Sequence, residues 1–278
     1  MRIDSHQHFW KLSRGDYSWM KPEMKVLYRD YMPQDLEPSL KRHKIDKTVL
    51  VQAAPTVAET DFLLEIAETY DFVAGVVGWL DFESEDFQSL FERYRRNRKF
   101  IGIRPMLEEL ADDDWILRPQ VLEPLQLIAE ADFPFDFLVK PRHLSYVAKA
   151  LEAVPGLRAV IDHIAKPEIM ARKFEPWKSM IRELAQHKNL YCKLSGMVTE
   201  ARHDSWKPED LRPYIEHVVE CFGPDRVMYG SDWPVCLLAG SYDQVIGVLE
   251  SILNLRLDRA SLEAIYGGNA AHFYKLKF

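Results

Sequence analysis

The sequence has no uninterrupted apolar run near the roughly 18 residues that a membrane-crossing helix needs. Its first residues, Met1-Arg2-Ile3-Asp4-Ser5-His6, lead straight into polar side chains without the apolar centre of a secretion signal. No basic face or Lys/Arg run suggests nucleic acid: 36 basic residues are interspersed with 43 acidic ones, for a net charge of -7. That pattern argues against a nucleic-acid or membrane-surface partner and favours solubility. Cysteine is scarce. Cys192, Cys221 and Cys236 are an odd set without metal-ligand spacing, so the expectation is a reducing, cytoplasmic setting. Cys192 lies in an apolar strand pattern and reads as a buried, inert thiol. The chain also lacks linkers, low-complexity tracts and long repeats, so one domain is expected across residues 1–278.

What is present is alternation. Eight short apolar runs read as strands, at residues 2–8, 48–53, 72–80, 100–105, 134–139, 157–163, 190–195 and 227–232. Several are β-branched and continuous, as strands buried on both faces are. Helical patterns lie between them, at residues 60–69, 83–97, 119–131, 144–153, 177–187, 208–222 and 242–254. A last one, 259–266, runs into Gly267-Gly268, which reads as a C-terminal cap. Eight β-then-α units predict an α/β fold, a parallel (β/α)8 barrel. The rival is an open doubly wound sheet, but no glycine-rich turn follows the first strand. Residues 11–33 and 196–207 read as long loops at strand C-terminal ends, the face where barrel enzymes build their sites. The first carries Trp19 and tyrosines that could wall a pocket.

Polar residues at those strand ends are costly to bury and so are the candidates for chemistry. His6 and His8 are two apart, which on a strand puts both rings on one face and suits a metal pair. Asp162-His163 ends the sixth run, where His163 could ligate a metal or polarise a carbonyl. Asp232, before Trp233-Pro234, is the sharpest carboxylate, able to take a proton from water or to share an oxygen with a metal. Each also has a plain structural alternative as a turn, cap or packing residue. Arg104, Lys140, Arg142, Lys166 and Lys193 stand at or near strand ends, and either balance the aspartates or favour an oxygen-rich substrate. Trp10, Trp19, Trp79 and Trp233 fall near the same face, and aromatic walls suit sugar rings.

Taken in order, Asp4-Ser5-His6-Gln7-His8-Phe9-Trp10, Gly102-Ile103-Arg104, Val160-Ile161-Asp162-His163-Ile164-Ala165-Lys166-Pro167, Cys192-Lys193-Leu194-Ser195-Gly196, Gly230-Ser231-Asp232-Trp233-Pro234 and Gly268-Asn269-Ala270 resemble the amidohydrolase superfamily. The likeness is to its branch of sugar-lactone hydrolases, the L-fuconolactonases and L-rhamnonolactonases. The resemblance implies a metal-dependent-hydrolase barrel that opens an aldonolactone to its acid. Asp232 would be general base, with His163 and either Lys166 or Arg104 as oxyanion partners. Arg104, Lys193, Trp19 and Trp79 would contact substrate. Binuclear relatives carry a bridging carboxylated lysine or glutamate after strand four, where this chain has Arg104. The set therefore implies one divalent metal, zinc first, on His6, His8, His163 and Asp232, or action without one. A single-metal decarboxylase is the alternative reaction. A small-molecule substrate and a homo-oligomer complete the expectations.

Overall fold

The computed structural model describes residues 1–278, and its eight strands follow one another around a sheet in chain order. They are β1 (Ile3–Gln7), β2 (Lys47–Val51), β3 (Val73–Gly78), β4 (Phe100–Ile103), β5 (Phe135–Phe137), β6 (Ala159–Ile161), β7 (Leu190–Leu194) and β8 (Val227–Tyr229). All seven adjacent pairs are parallel. Each expected strand is present, and most are shorter than expected at one or both ends. The seam between β8 and β1 is closed by residues just past β8: Asp232 N–H donates to His6 O at 2.8 Å, and His8 N–H to Trp233 O at 2.7 Å. The result is a closed (β/α)8 barrel. No helix is long and apolar enough to cross a membrane.

The helices are α1 (Pro33–His43), α2 (Val57–Thr69), α3 (Phe87–Tyr94), α4 (Pro119–Glu130), α5 (Leu144–Ala153), α6 (Trp177–Leu184), α7 (Pro208–Phe222), α8 (Tyr242–Leu253), α9 (Arg259–Glu263) and α10 (Asn269–Phe273). Their apolar stripes and the outer faces of the strands make one large core cluster. A second cluster fills the barrel's lower interior: Ile3, Val49, Val51, Val77, Ile101, Val160 and Met228 meet Phe273 and Tyr274 at the end of α10. The C-terminal helix thus plugs the end of the barrel away from the mouth. The expected cap at Gly267-Gly268 is not there. The chain runs from α9 through a π turn into α10, and Gly267 is extended rather than left-handed. A Cβ on Gly267 would lie 2.2 Å from Met1 O, so glycine is needed for the close approach of the N-terminus.

One buried carboxyl braces the upper end of β2. Glu59 of α2 is fully buried and accepts N–H bonds from Ala53 and Ala54. Burial pushes its carboxyl up to about 8, against the pull of those two N–H groups and of Arg14 and Arg104. The folded protein therefore keeps this proton up to about pH 8, whereas the unfolded chain releases it near 4.5. The native state binds more protons across that window, so Glu59 lowers stability as pH rises from 4.5 to 8, with no further loss above. Glu59→Gln should remove this slope, gaining about 2–4 kcal/mol at pH 8.5 relative to its effect at pH 5. Urea unfolding of both proteins at the two pH values checks it, and parallel stability profiles would contradict it.

Candidate active site

Three layers stack up the barrel axis. Above the apolar plug lies a buried charged layer, and above that the mouth. In the charged layer the Lys193 ammonium is 2.5 Å from Asp136 Oδ2 and 3.0 Å from Asp162 Oδ1. Tyr274 donates its hydroxyl to Asp136 at 2.8 Å. Arg104 donates to Asp162 Oδ2 at 3.0 Å and to the Gln52 carbonyl. Burial works against the Asp162 charge, but Lys193, His6 and Arg104 together hold its carboxyl well below the usual range. Removing one member would strand buried charge, at a cost of about 3–5 kcal/mol.

His6, His8, His163 and Asp232 meet over this layer, all essentially buried. A register shift in β1 between Asp4 and Gln7 separates their roles. Asp4 faces outward, accepting from Ser231 N at 2.8 Å and the Tyr242 hydroxyl at 3.0 Å, while His6 and His8 turn to the mouth. Asp4 so ties β1 to the turn that carries Asp232. His6 Nε2 and His8 Nε2 are 3.2 Å apart, and Asp232 Oδ1 is 3.8 Å from the first and 3.3 Å from the second. His163 Nε2 lies 3.8 Å from the same Asp232 oxygen.

The backbone is bent to achieve this. His163, Ile164, Ala165 and Lys166 form a run of four left-handed residues, and Asp232 is left-handed as well. Such conformations cost on the order of 1–2 kcal/mol per residue and gather at functional sites. The run is pinned by Trp177, whose Nε1 donates to Ile164 O at 2.7 Å. It brings His163 and Lys166 to the same rim.

Hydrogen-bond partners fix the rings. His8 Nδ1 faces Val51 O at 2.7 Å, so it carries the proton and leaves the Nε2 lone pair free. Ser195 Oγ is 2.8 Å from His163 Nδ1; with the hydroxyl donating there, His163 presents Nε2–H to the mouth. Burial lowers His163 to about 4, so the ring is neutral at pH 7. His6 Nδ1 has two competing partners, Lys193 Nζ at 3.1 Å and Asp162 Oδ1 at 3.4 Å. Donation to Asp162 is the arrangement that frees His6 Nε2 as a ligand. Burial opposes the Asp232 charge too, but the facing His163, His8 and His6 keep it below the usual carboxylate range. Asp232 is therefore ionised at neutral pH.

The donor set fits one divalent ion. His6 Nε2, His8 Nε2 and Asp232 Oδ1 lie on a circle of about 2.0 Å radius, the length of a zinc–nitrogen or zinc–oxygen bond. A second, bridged ion has no carboxylate to hold it from strand four, where Arg104 is spent on Asp162.

The mouth opens into a cavity of about 400 Å³ that includes His8, His163, Asp232, Arg104, Lys166 and Trp19. Trp19 is held by its Nε1–H to Ala53 O at 2.7 Å, on the loop braced by Glu59. Two expected substrate contacts lie elsewhere. Lys193 is fully buried in the charged layer, one step below the mouth. Trp79 lines a neighbouring side cavity with Pro55 and Trp115. The cations at the rim are not free either: Lys166 sits 2.7 Å from Glu108 and Arg104 is paired as described. Glu108, Glu200, His203 and Ser195 are site residues that sequence reasoning did not single out. A larger cavity of about 670 Å³, beside Met1, Glu250 and Tyr266 at the other end of the barrel, gathers no such cluster.

With this geometry in hand, comparison with known proteins is decisive on kinship. Residues 3–276 match the amidohydrolase family. The chain belongs to the amidohydrolase family. An L-fucono-1,5-lactonase from Burkholderia ambifaria is 44% identical across 99% of this chain and 96% of that protein. A second L-fucono-1,5-lactonase, from Burkholderia multivorans, is 36% identical over 99% of this chain and 96% of its own. A crystal structure of an amidohydrolase from Burkholderia multivorans with bound zinc superposes with a TM-score of 0.94, at 36% identity over 100% of both chains. The amidohydrolase barrel, read first from strand-end residues, is thus the fold this family uses.

Gly196 makes the site sterically tight. It is left-handed, and a Cβ there would lie 2.6 Å from His163 Nδ1. Gly196→Ala should push the His163 ring from its position, costing about 1–3 kcal/mol of stability. It should also lower kcat about 10- to 100-fold, as small displacements at a reacting centre do. Thermal melting and steady-state kinetics on the purified variant check both; unchanged kcat would show that the His163 position does not matter.

Proposed function

We propose that this amidohydrolase hydrolyses a sugar lactone of the L-fucono-1,5-lactone type to the open aldonic acid. The observation that carries it is the whole-length 44% identity to an L-fucono-1,5-lactonase, on a chain whose mouth joins an ionised Asp232 to a neutral, proton-presenting His163. The chemistry follows from those two groups. Asp232 takes a proton from water as the water oxygen attacks the lactone carbonyl. Negative charge then builds on the carbonyl oxygen, where the His163 Nε2–H donates. The acyl–oxygen bond breaks, and Asp232 returns its proton to the departing ring oxygen. A general base commonly contributes about 10²–10⁴-fold and one oxyanion donor about 10²–10³-fold.

His6, His8 and Asp232 are the residues that would hold a divalent ion, with zinc the first choice for two imidazoles and a carboxylate. When bound, it would supply Lewis-acid polarisation of the carbonyl. Lys166 and Arg104 are set back from the oxyanion role, because each is already engaged by a carboxylate. Trp19 offers a flat apolar wall for one face of a sugar ring. The three free cysteines suit a reducing compartment such as the cytoplasm. Decarboxylation, the alternative reaction, finds no support in the two L-fucono-1,5-lactonases that match this chain over its whole length.

The test is a panel of aldonolactones in a pH-indicator assay, with metal-stripped and zinc-restored protein, beside Asp232→Asn. Turnover should be highest on the L-fucono or L-rhamnono lactones, without CO₂ release. Asp232→Asn should lose about 10²–10⁴-fold in kcat while keeping its melting transition. Near-wild-type turnover in that variant would remove Asp232 from the role.

A further inference from the structure

The rim of the mouth has an unusual charge arrangement for a cavity with so many lysines and arginines. Every Lys and Arg lining it has a carboxylate within 4.0 Å: Arg104 has Asp162, and Lys166 and Lys140 share Glu108. Glu108 is the hub. It sits on the short turn after β4, its N–H donates to Leu138 O at 3.2 Å, and its two carboxylate oxygens are each 2.7 Å from Lys166 Nζ. Burial opposes the Glu108 charge, but Lys166, Lys140 and His163 hold it below the ordinary glutamate range, so it is ionised. Two more carboxyls, Glu109 and Glu200, line the cavity with no ion-pair partner. Burial pushes both up, and the negative charge of Glu108 adds to it while Lys166 pulls the other way. By residue count the lining places four carboxyl side chains, Glu108, Glu109, Glu200 and Asp232, against three cations, Arg104, Lys140 and Lys166.

Resting on the lactonase reading, we infer that this rim selects uncharged lactones and expels the carboxylate formed from them, with Glu108 the residue that sets the selectivity by neutralising Lys166. Hydrolysis changes the ligand's charge at a defined moment. The water oxygen bonds to the acyl carbon, the acyl–ring-oxygen bond breaks, the ring oxygen gains a proton as a hydroxyl, and the acid releases a proton to become a carboxylate. An uncharged substrate thus becomes an anion in a cavity lined by Glu108 and Glu200. In a partly buried cavity like charges repel far more than in water, which weakens product binding relative to substrate. A lactone that already bears a carboxylate meets the same repulsion on entry. Without Glu108, Lys166 becomes an unpaired ammonium in the cavity and a ready carboxylate partner.

The experiment compares an aldonate with its uncharged alditol, both without a lactone to open, by calorimetric binding to the wild-type protein, Glu108→Gln, and the double variant Glu108→Gln/Lys166→Met. The wild type should bind the aldonate no more tightly than the alditol. Glu108→Gln should tighten aldonate binding at least about tenfold while leaving the alditol within about twofold. The double variant, which restores the charge balance, should return the aldonate to its wild-type weakness. In kinetics the same single variant should show stronger inhibition by the aldonate product and a lower KM for a carboxylated lactone, relative to an uncharged one. Equal changes for both ligands, or a double variant that behaves like the single one, overturn the inference and leave Glu108 a structural prop. Absence of lactone opening by the wild-type protein would instead strike the lactonase reading, and the binding comparison would still decide the role of Glu108.

Discussion

The site depends on how the barrel closes. β8 does not pair with β1 along its length; the seam is made by the chain just beyond it, where Asp232 N–H reaches His6 O and Trp233 O receives His8 N–H. Those two bonds place a left-handed Asp232 beside two rings carried by the first strand. Asp4 reinforces the join from outside by accepting Ser231 N. A single seam, formed by residues more than 220 positions apart, therefore sets the positions of three of the four mouth groups. Were the sheet open at this edge, His6 and His8 would face solvent and Asp232 would cap an ordinary turn.

The layer beneath fixes the charges that the mouth groups rest on. Lys193 between Asp136 and Asp162, with Arg104 on the far side of Asp162, is a compact set of opposite charges inside the barrel. Such a set is not a cheap source of stability, since desolvation offsets much of the attraction. Its effect is directional. It holds the His6 ring against two partners that favour opposite tautomers and keeps Asp162 ionised below the mouth. The glutamates, lysines and Trp19 of the rim are then free to differ without disturbing the reacting groups, in keeping with how barrel enzymes divide labour between strand ends and loops.

Much of this was legible in the sequence, for identifiable reasons. The strands showed because parallel strands under helices are continuously apolar, and their C-terminal ends showed because a His or Asp closing such a run stands out. That is enough to bring His6, His8, His163 and Asp232 together from the sequence alone. Helix α1 went unremarked because it buries only Pro33, Leu36 and Leu40 and reads as an extension of the preceding loop. Lys193 and Trp79 were drawn into the mouth by position along their strands, but Lys193 turns into the charged layer below and Trp79 into a side cavity beside the mouth. Pairings such as Glu108 with Lys166, or Ser195 with His163, join distant segments through loops and leave no local pattern to read. The Gly267-Gly268 signal was real but concerned contact with Met1, not a helix end.

The central claim is that the mouth directs water to an acyl carbon. Opening the lactone in ¹⁸O-labelled water under single-turnover conditions, with mass spectrometry of the acid, tests it most directly. Attack at the carbonyl predicts one ¹⁸O per product, located in the carboxylate, with the former ring oxygen unlabelled in its hydroxyl. Label in that hydroxyl, or a product free of label, would contradict the account.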